Sequence, residues 1–256
     1  MIDVSVIIPV YKNAKLLDKC LESLNSQSFK NQEIITVDDN KPHQGPAMAR
    51  NRGAKSAAGK ILVFVDSDMI FDKNFIKNLT APIISLHTKG TFSKEEYVAN
   101  WDNIWARCWN YNLGFADKLR IPGNYPDQSP VFRAILKSEF LKVGGFDPTG
   151  YDDDWTLAGK LGYYATQVWG AKYFHFNPDN LLRVFSQAKW RAKRRYKLGL
   201  LGDLYALIKY FFPISLVNSL RLSWKFRQPA LIIFKIIFDF GSFMGILEKI
   251  IFKNYY

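Results

Sequence analysis

Two pairs of carboxylates in this chain are spaced for chemistry. Asp66-Ser67-Asp68 directly follows the apolar run ILVFV. Two carboxylates two residues apart on an extended backbone point the same way. Hard oxygen ligands of this kind suit Mg²⁺ or Mn²⁺. A cation held there bridges a diphosphate and neutralises the charge that develops as it leaves. The plainer alternative is that Asp68 or Asp72 caps a following helix. A second pair, Asp38-Asp39, ends the run EIITV, and a third acidic stretch, Asp152-Asp153-Asp154, follows GGFD. No GxGxxG follows the first apolar run and no Gly-rich Walker loop is present, so the two common phosphate fingerprints are missing.

These acids need rigid elements behind them. Residues 4–10, 33–37 and 61–65 are rich in β-branched side chains and nearly continuously apolar. That pattern predicts strands covered on both faces, as in a parallel sheet. Between the first two, residues 15–26 place Leu16, Leu17, Cys20, Leu21 and Leu24 on one helical face. The opening is therefore a β–α–β unit. Residues 47–58 read as a second helix ended by Gly59, and residues 94–113 as a third. The pattern is α/β. In open α/β sheets the ligand binds at the carboxyl ends of the strands. Here those ends carry Pro9-Val10-Tyr11, Asp38-Asp39 and Asp66-Ser67-Asp68.

With these motifs in order, the sequence resembles family 2 glycosyltransferases of the GT-A fold. Within that family it is similar to membrane-associated polyprenol-phosphate mannosyl- and glucosyltransferase-like enzymes. The carrying segments are VSVIIPVYKNAKLLDKCLESLNSQSF, EIITVDD, ARNRGAKSAAGKILVFVDSDM, GGFD and YDDDWTLAGKLGYYATQVWGAKYFHF. The resemblance implies a Rossmann-like, mostly parallel sheet sandwiched by helices over residues 1–182. It also implies a nucleotide-sugar donor, Mn²⁺ or Mg²⁺, and inversion at the anomeric carbon. By the same resemblance Pro9, Val10 and Tyr11 line the nucleotide pocket and Asp39 lies near the base or ribose. Arg50 sits beside the phosphates, Asp66 and Ser67 meet the nucleotide-sugar, and Asp66 and Asp68 hold the metal. His175 matches a further metal or phosphate ligand, the alternative being a satisfied buried histidine. The general base comes from the Asp152–154 run, taking the acceptor hydroxyl's proton as its oxygen attacks. The alignment puts Asp154 at the base position and Asp153 at the preceding one, which faces the acceptor; the register is open by one. A helix N-terminus loaded with acid is the competing account. Arg133, Asp152 and Trp155 fall on the acceptor side.

Two departures from the family pattern matter. Only about ten residues separate Asp39 from Arg50, where the family has a further helix and strand. UDP and GDP therefore both stay open. The Gln-x-x-Arg-Trp box of processive relatives is replaced by Ser186-Gln187-Ala188-Lys189-Trp190, and Lys lacks the bidentate fork. Transfer of single sugars is expected. Trp101, Trp105 and Trp109 recur every four residues and read as one helix face, either core packing or a platform.

The chain has 256 residues, with 35 Lys+Arg against 23 Asp+Glu, a net charge of +12. Apolar residues make up 48% and aromatics 16%, which excludes a disordered chain. Two cysteines, Cys20 and Cys108, cannot staple this length and read as buried thiols. The start MIDVSVIIPVY reads as a first strand, not a signal peptide, so a catalytic domain on the cytoplasmic side is expected. Seven basic and no acidic residues lie between Arg183 and Lys197. Residues 183–199 therefore read as a basic juxtamembrane helix. Residues 200–256 read as a membrane-associated or transmembrane helical hairpin built from two apolar segments, 198–220 and 229–252. A basic cluster beside such segments fits an anionic membrane surface. Lys209, Lys235, Asp239 and Glu248 are costly at a bilayer centre, and Gly241 with Gly245 forms a GxxxG. Spanning and interfacial arrangements are both open. The tail motivates a lipid-linked or membrane-proximal acceptor, and no nucleic-acid partner is expected. The rival readings are a non-catalytic membrane scaffold of this fold and a sugar-phosphate nucleotidyltransferase.

Overall fold

The computed structural model describes residues 2–11, 16–40 and 45–252. Its strands are β1 (Val4–Val10), β2 (Gln32–Asp38), β3 (Ile61–Phe64), β4 (Met69–Phe71), β5 (Gly90–Phe92), β6 (Glu96–Val98), β7 (Gln128–Ser129), β8 (Ala134–Leu136), β9 (Ala165–Gln167) and β10 (Tyr173–His175). The helices are α1 (Leu17–Asn25), α2 (Pro46–Ser56), α3 (Phe75–Ile84), α4 (Ile104–Asn112), α5 (Lys137–Lys142), α6 (Thr156–Leu161), α7 (Leu181–Ala192), α8 (Leu200–Lys209), α9 (Phe212–Phe226) and α10 (Ala230–Phe252). Part of the predicted first helix, residue 15, lies outside the described residues, as does the stretch 41–44 before the second.

The chain divides into two compact units. The first comprises Met1–Tyr97, Ile121–Pro148 and Asp153–His175; the second comprises Val98–Arg120, Thr149–Asp152 and Phe176–Tyr256. The main sheet has the order β2-β1-β3-β8-β5-β9-β7. β1 pairs in parallel with β2 and with β3. β8 then enters antiparallel to both β3 and β5. The sheet is thus parallel where the acidic strand ends line up and mixed beyond.

Strand β1 explains the continuous apolar run. Val4, Val6 and Ile8 pack with Cys20 and Leu24 of α1 and Phe75 and Leu79 of α3. Ile7 points the other way, among Ala47 and Ala54 of α2, Leu62, Phe64 and Phe140. Both faces are covered, so both sets of side chains must be apolar. Each such burial is worth about 1.5–3 kcal/mol. Helix α2 lies close to the sheet because Gly53 faces it: a Cβ there would stand 2.5 Å from Ile7 Cγ2. Cys20 and Cys108 are free and buried.

One predicted helix is corrected. Residues 94–113 do not form a single helix, because Glu96–Val98 is strand and α4 starts only at Ile104. Asn103 sets that start, its side chain accepting from Trp105 N and Ala106 N at 2.9 and 3.1 Å. Trp101 therefore lies outside the helix, edge-on to Tyr111, and the three tryptophans do not form one helical stripe. Cys108 and Trp109 instead join Val184, Ala188, Leu231, Phe234 and Phe238 in the core of the second unit.

The tail also differs from a two-helix hairpin. The segment 198–220 is broken into α8 and α9, bent by 60°. Helix α10 has 23 residues, and an 18-residue window within it has a mean hydropathy of 2.0, so it is long and apolar enough to cross a membrane by length and composition.

Candidate active site

Three parallel strands end side by side, and their ends hold the acids. Val10 stands in register with Asp38, and Val10 O accepts from Asp39 N at 2.9 Å. Asp66 follows β3 after Val65. Arg50, on α2, organises what lies between. Its Nη2 donates to Asp66 Oδ1 at 2.7 Å and its Nη1 to Asp153 Oδ1 at 3.2 Å. Arg50 is 7% exposed, and its Nε is buried without a hydrogen-bond partner among the described residues. Arg133 Nη1 approaches the other oxygen of Asp66 at 3.9 Å, with its guanidinium 5.4 Å from the Tyr173 ring centroid. Burial alone would push the Asp66 carboxyl up, but Arg50, Arg133 and His175 together hold it below the usual carboxylate range. It stays ionised, as a cation ligand must.

Asp68 and His175 complete a cluster. Asp66, Asp68 and His175 each offer one ligand atom, and these atoms lie within 4.8 Å of one another. His175 ends β10, which pairs antiparallel with β4 so that His175 stands opposite Met69. Its Nε2 lies 3.1 Å from Asp68 Oδ1 and its Nδ1 2.9 Å from Glu96 Oε1. The other Glu96 oxygen accepts from the Tyr173 hydroxyl at 3.0 Å. A carboxylate behind the second nitrogen is the usual support for a metal-binding imidazole. Two carboxylates and one imidazole, half-buried, fit a divalent cation such as Mn²⁺ or Mg²⁺. Sequence reasoning missed Glu96 and Tyr173. Glu96 stands in the stretch that reads as the start of a helix, and its partners are about eighty residues away.

The acidic run after GGFD splits into different environments. Asp153 begins the short 3₁₀ turn Asp153–Trp155 and is 2% exposed. Its Oδ2 accepts from Ala47 N at 2.9 Å. Gly45 precedes α2 and has no side chain to cap it; Asp153 supplies that acceptor from elsewhere in the chain. Burial pushes its carboxyl up to about 7 against the pull of Arg50, with Asp154 adding to the rise. Asp153 was expected to face the acceptor; it is turned inward onto α2 instead. Asp154 is half-buried and Trp155 is exposed. Asp152 belongs to the second unit, where burial raises its carboxyl against Arg194 and Arg191.

The remaining sites are more dispersed. Pro9 and Val10 are half-buried and Tyr11 is 43% exposed. Ser67 is half-buried beside the two acids. Asp39 is buried, accepting from Gly45 N at 3.1 Å and from Arg52 at 3.3 Å, so its carboxylate holds the approach to α2. Asn51, also overlooked in ARNRG, bonds both backbone groups of Phe146: Nδ2 donates to its carbonyl at 2.8 Å and Oδ1 accepts from its N–H at 2.9 Å. That fastens GGFD to α2.

The profile of glycosyl transferase family 2 matches residues 5–44 and 40–143, more than half of the chain. The chain belongs to glycosyl transferase family 2. Among curated relatives, an uncharacterised glycosyltransferase of Rickettsia felis is 38% identical over 96 residues, 29% of this chain and 16% of that protein. Glycosyltransferase GlyG of Streptococcus pneumoniae is 33% identical over 100 residues, 30% of this chain and 33% of that one. An uncharacterised glycosyltransferase of Haemophilus influenzae is 33% identical over 175 residues, 55% of each. The matched stretch is therefore about a sixth of the length of the first of these relatives.

Solved structures share the GT-A fold. S. aureus TarS 1-349 in complex with UDP-GlcNAc superposes with a TM-score of 0.55 at 15% identity, covering 100% of this chain and 93% of that one. Mannosyltransferase PcManGT from Pyrobaculum calidifontis, in complex with GDP-Man and Mn²⁺, gives 0.55 at 15%, covering 98% and 88%. The family 2 match contains β1 to β3, Arg50, Asp66, Asp68 and Arg133; Asp153, Asp154 and His175 fall beyond it in sequence.

Proposed function

We propose that this chain is a metal-dependent, inverting glycosyltransferase. It moves a hexose from a nucleoside-diphosphate sugar, UDP- or GDP-linked, to a lipid-linked or membrane-proximal acceptor. The observation that carries the reading is the Asp66, Asp68 and His175 cluster, formed by the residues after β3 and the end of β10. Those three residues would hold Mn²⁺ or Mg²⁺. When bound, such a cation offsets the negative charge that builds on the departing diphosphate. Arg50 and Arg133 keep Asp66 ionised and oriented. Pro9, Val10 and Tyr11 line the nucleotide side, near Asp39 and Ser67. Asp154 takes the proton of the acceptor hydroxyl as its oxygen attacks the anomeric carbon opposite the leaving group. Asp153 sets the position of that turn through Arg50 and Ala47. Trp155 lies toward the acceptor in this reading, and Arg133 stands with Asp66 on the metal side. The apolar tail, which follows His175 in the chain, associates with an anionic membrane on its cytoplasmic face and motivates the lipid acceptor.

The deciding experiment is a thermal-shift screen of UDP, GDP and their sugars with Mn²⁺ and Mg²⁺. A ligand that binds the folded state raises the melting temperature by mass action. One nucleotide series should stabilise the protein only with the cation present, and its sugar should be hydrolysed slowly or transferred. No shift with any nucleotide, with or without cation, removes the enzymatic reading.

A further inference from the structure

Helices α8 and α9 are built inside out. On α9 the buried positions are Ser215 and Ser219, while Phe212, Val217, Leu220 and Trp224 are exposed, Trp224 by 88%. On α8 the buried positions are Gly202, Asp203 and Ala206, while Leu201, Tyr205 and Ile208 are 62–71% exposed. A water-facing surface helix has the opposite pattern. A contiguous apolar face of this kind marks a contact with another phase or partner.

The charges around that face identify the phase. Between residues 197 and 227 there are five basic side chains, Lys197, Lys209, Arg221, Lys225 and Arg227, all exposed. The one acid in the stretch, Asp203, is buried and paired with Lys249 of α10. Outward apolar side chains ringed by cations alone match an anionic bilayer surface.

Length decides the mode. A 10-residue and a 15-residue helix span about 15 and 22 Å, each short of the roughly 30 Å hydrocarbon core, and the 60° bend separates them. Helix α10 is long enough, but its glycine face is taken. Gly241 and Gly245 receive the backbone of α7, where a Cβ on Gly241 would stand 2.5 Å from Phe185 O and one on Gly245 would meet Lys189 O. Glu248 pairs with Lys189 and Lys193, and Lys249 also donates to Arg194 O at 3.0 Å. If α10 crossed a bilayer, the basic α7 would lie in hydrocarbon beside its midpoint, at about 2.5–3.5 kcal/mol per charge. The GxxxG therefore serves a contact inside the unit.

We infer that α8 and α9 form a monotopic docking surface for anionic membranes, lying in the interface, and that α10 is an internal helix and not a span. This rests on the membrane association proposed above and fixes its mode. The test is flotation of the full chain, without nucleotide, with phosphatidylcholine vesicles and with vesicles containing phosphatidylglycerol. The chain should float with anionic vesicles, bind them more than about tenfold better than neutral ones at low salt, and be stripped by alkaline carbonate. Leu201→Asp with Val217→Asp should abolish flotation without lowering the melting temperature. Carbonate-resistant insertion would overturn the interfacial mode while leaving membrane association standing. Absence of flotation would overturn both, as would a dimer that the two substitutions split. Flotation unchanged by the substitutions would overturn the assignment to α8 and α9. None of these outcomes bears on donor binding, which is read separately.

Discussion

Asp153 accepts from Nη1 of Arg50 at 3.2 Å, and the other terminal nitrogen of that guanidinium donates to Asp66. A single buried guanidinium thus joins the turn that carries Asp154 to the strand end that carries the candidate metal ligands Asp66 and Asp68. The two neighbouring acids should consequently fail in different ways. Asp153→Ala leaves Ala47 N–H and one arm of Arg50 without an acceptor, at about 1–3 kcal/mol for each buried group left unsatisfied. Its melting temperature should fall. Asp154→Asn removes the proposed base and should lower turnover by about 10²–10⁴-fold with the melting temperature unchanged. Paired melting curves and initial rates on both variants check this. Near-wild-type turnover in Asp154→Asn would reject it as the base.

The same burial gives Asp153 a pH signature. Its carboxyl is pushed to about 7, against an ordinary value of 3.8. Between those values the folded chain holds a proton that the unfolded chain has released. Stability from this group is therefore fully present below about 4, falls as pH rises, and levels off above about 7. Urea midpoints measured across that window should show the wild-type advantage over Asp153→Asn shrinking as pH rises. An advantage that grows with pH would mean that Arg50 keeps Asp153 ionised throughout.

How much of this was readable depended on how local each signal is. Strands β1 to β3 were legible because burial on both faces writes a continuous apolar run, and the acids at their ends followed. The strand Glu96–Val98 was not. Three residues are too few for a period, and the regular tryptophans of residues 101–109 imitated a helix. The cap that starts α4 was in plain view at Asn103. Glu96 was beyond reach, since its burial exists only once β6, β4 and β10 form one sheet. Asp153 and Asp154 are chemically identical neighbours, and only the fold separates the one that caps α2 from the one left half-buried. The tail's composition pointed to lipid, but the inverted faces of α8 and α9 appear only when the buried positions are known.

Glu96 should behave as a support for His175 and not as a ligand. It holds Nδ1 at 2.9 Å, which leaves Nε2 for the cation. Loss of such a support typically costs about 10–100-fold in metal affinity. In a Mn²⁺ titration followed by thermal shift or by electron paramagnetic resonance, Glu96→Gln should weaken binding within that range. Asp66→Asn and Asp68→Asn should abolish it. Equal affinity in Glu96→Gln and wild type would reject Glu96 as a support of the metal site.

Arg133 offers the sharpest test of the metal side. Its head group faces Asp66 at 3.9 Å and stacks 5.4 Å over Tyr173. The neighbouring Asp66 and Glu96 carboxylates, with Tyr173, outweigh the effect of burial and keep it firmly protonated. Lysine would preserve the charge but lose the planar fork and most of the ring contact. A buried cation–π contact is worth about 2 kcal/mol, which is more than tenfold in an equilibrium constant. Arg133→Lys should therefore lower the melting temperature, and by holding Asp66 less firmly it should also weaken binding of Mn²⁺ and the donor, with the acceptor KM unchanged. A selective rise in the acceptor KM would instead put Arg133 on the acceptor side, where the sequence pattern alone had it, and would separate its role from that of Asp66.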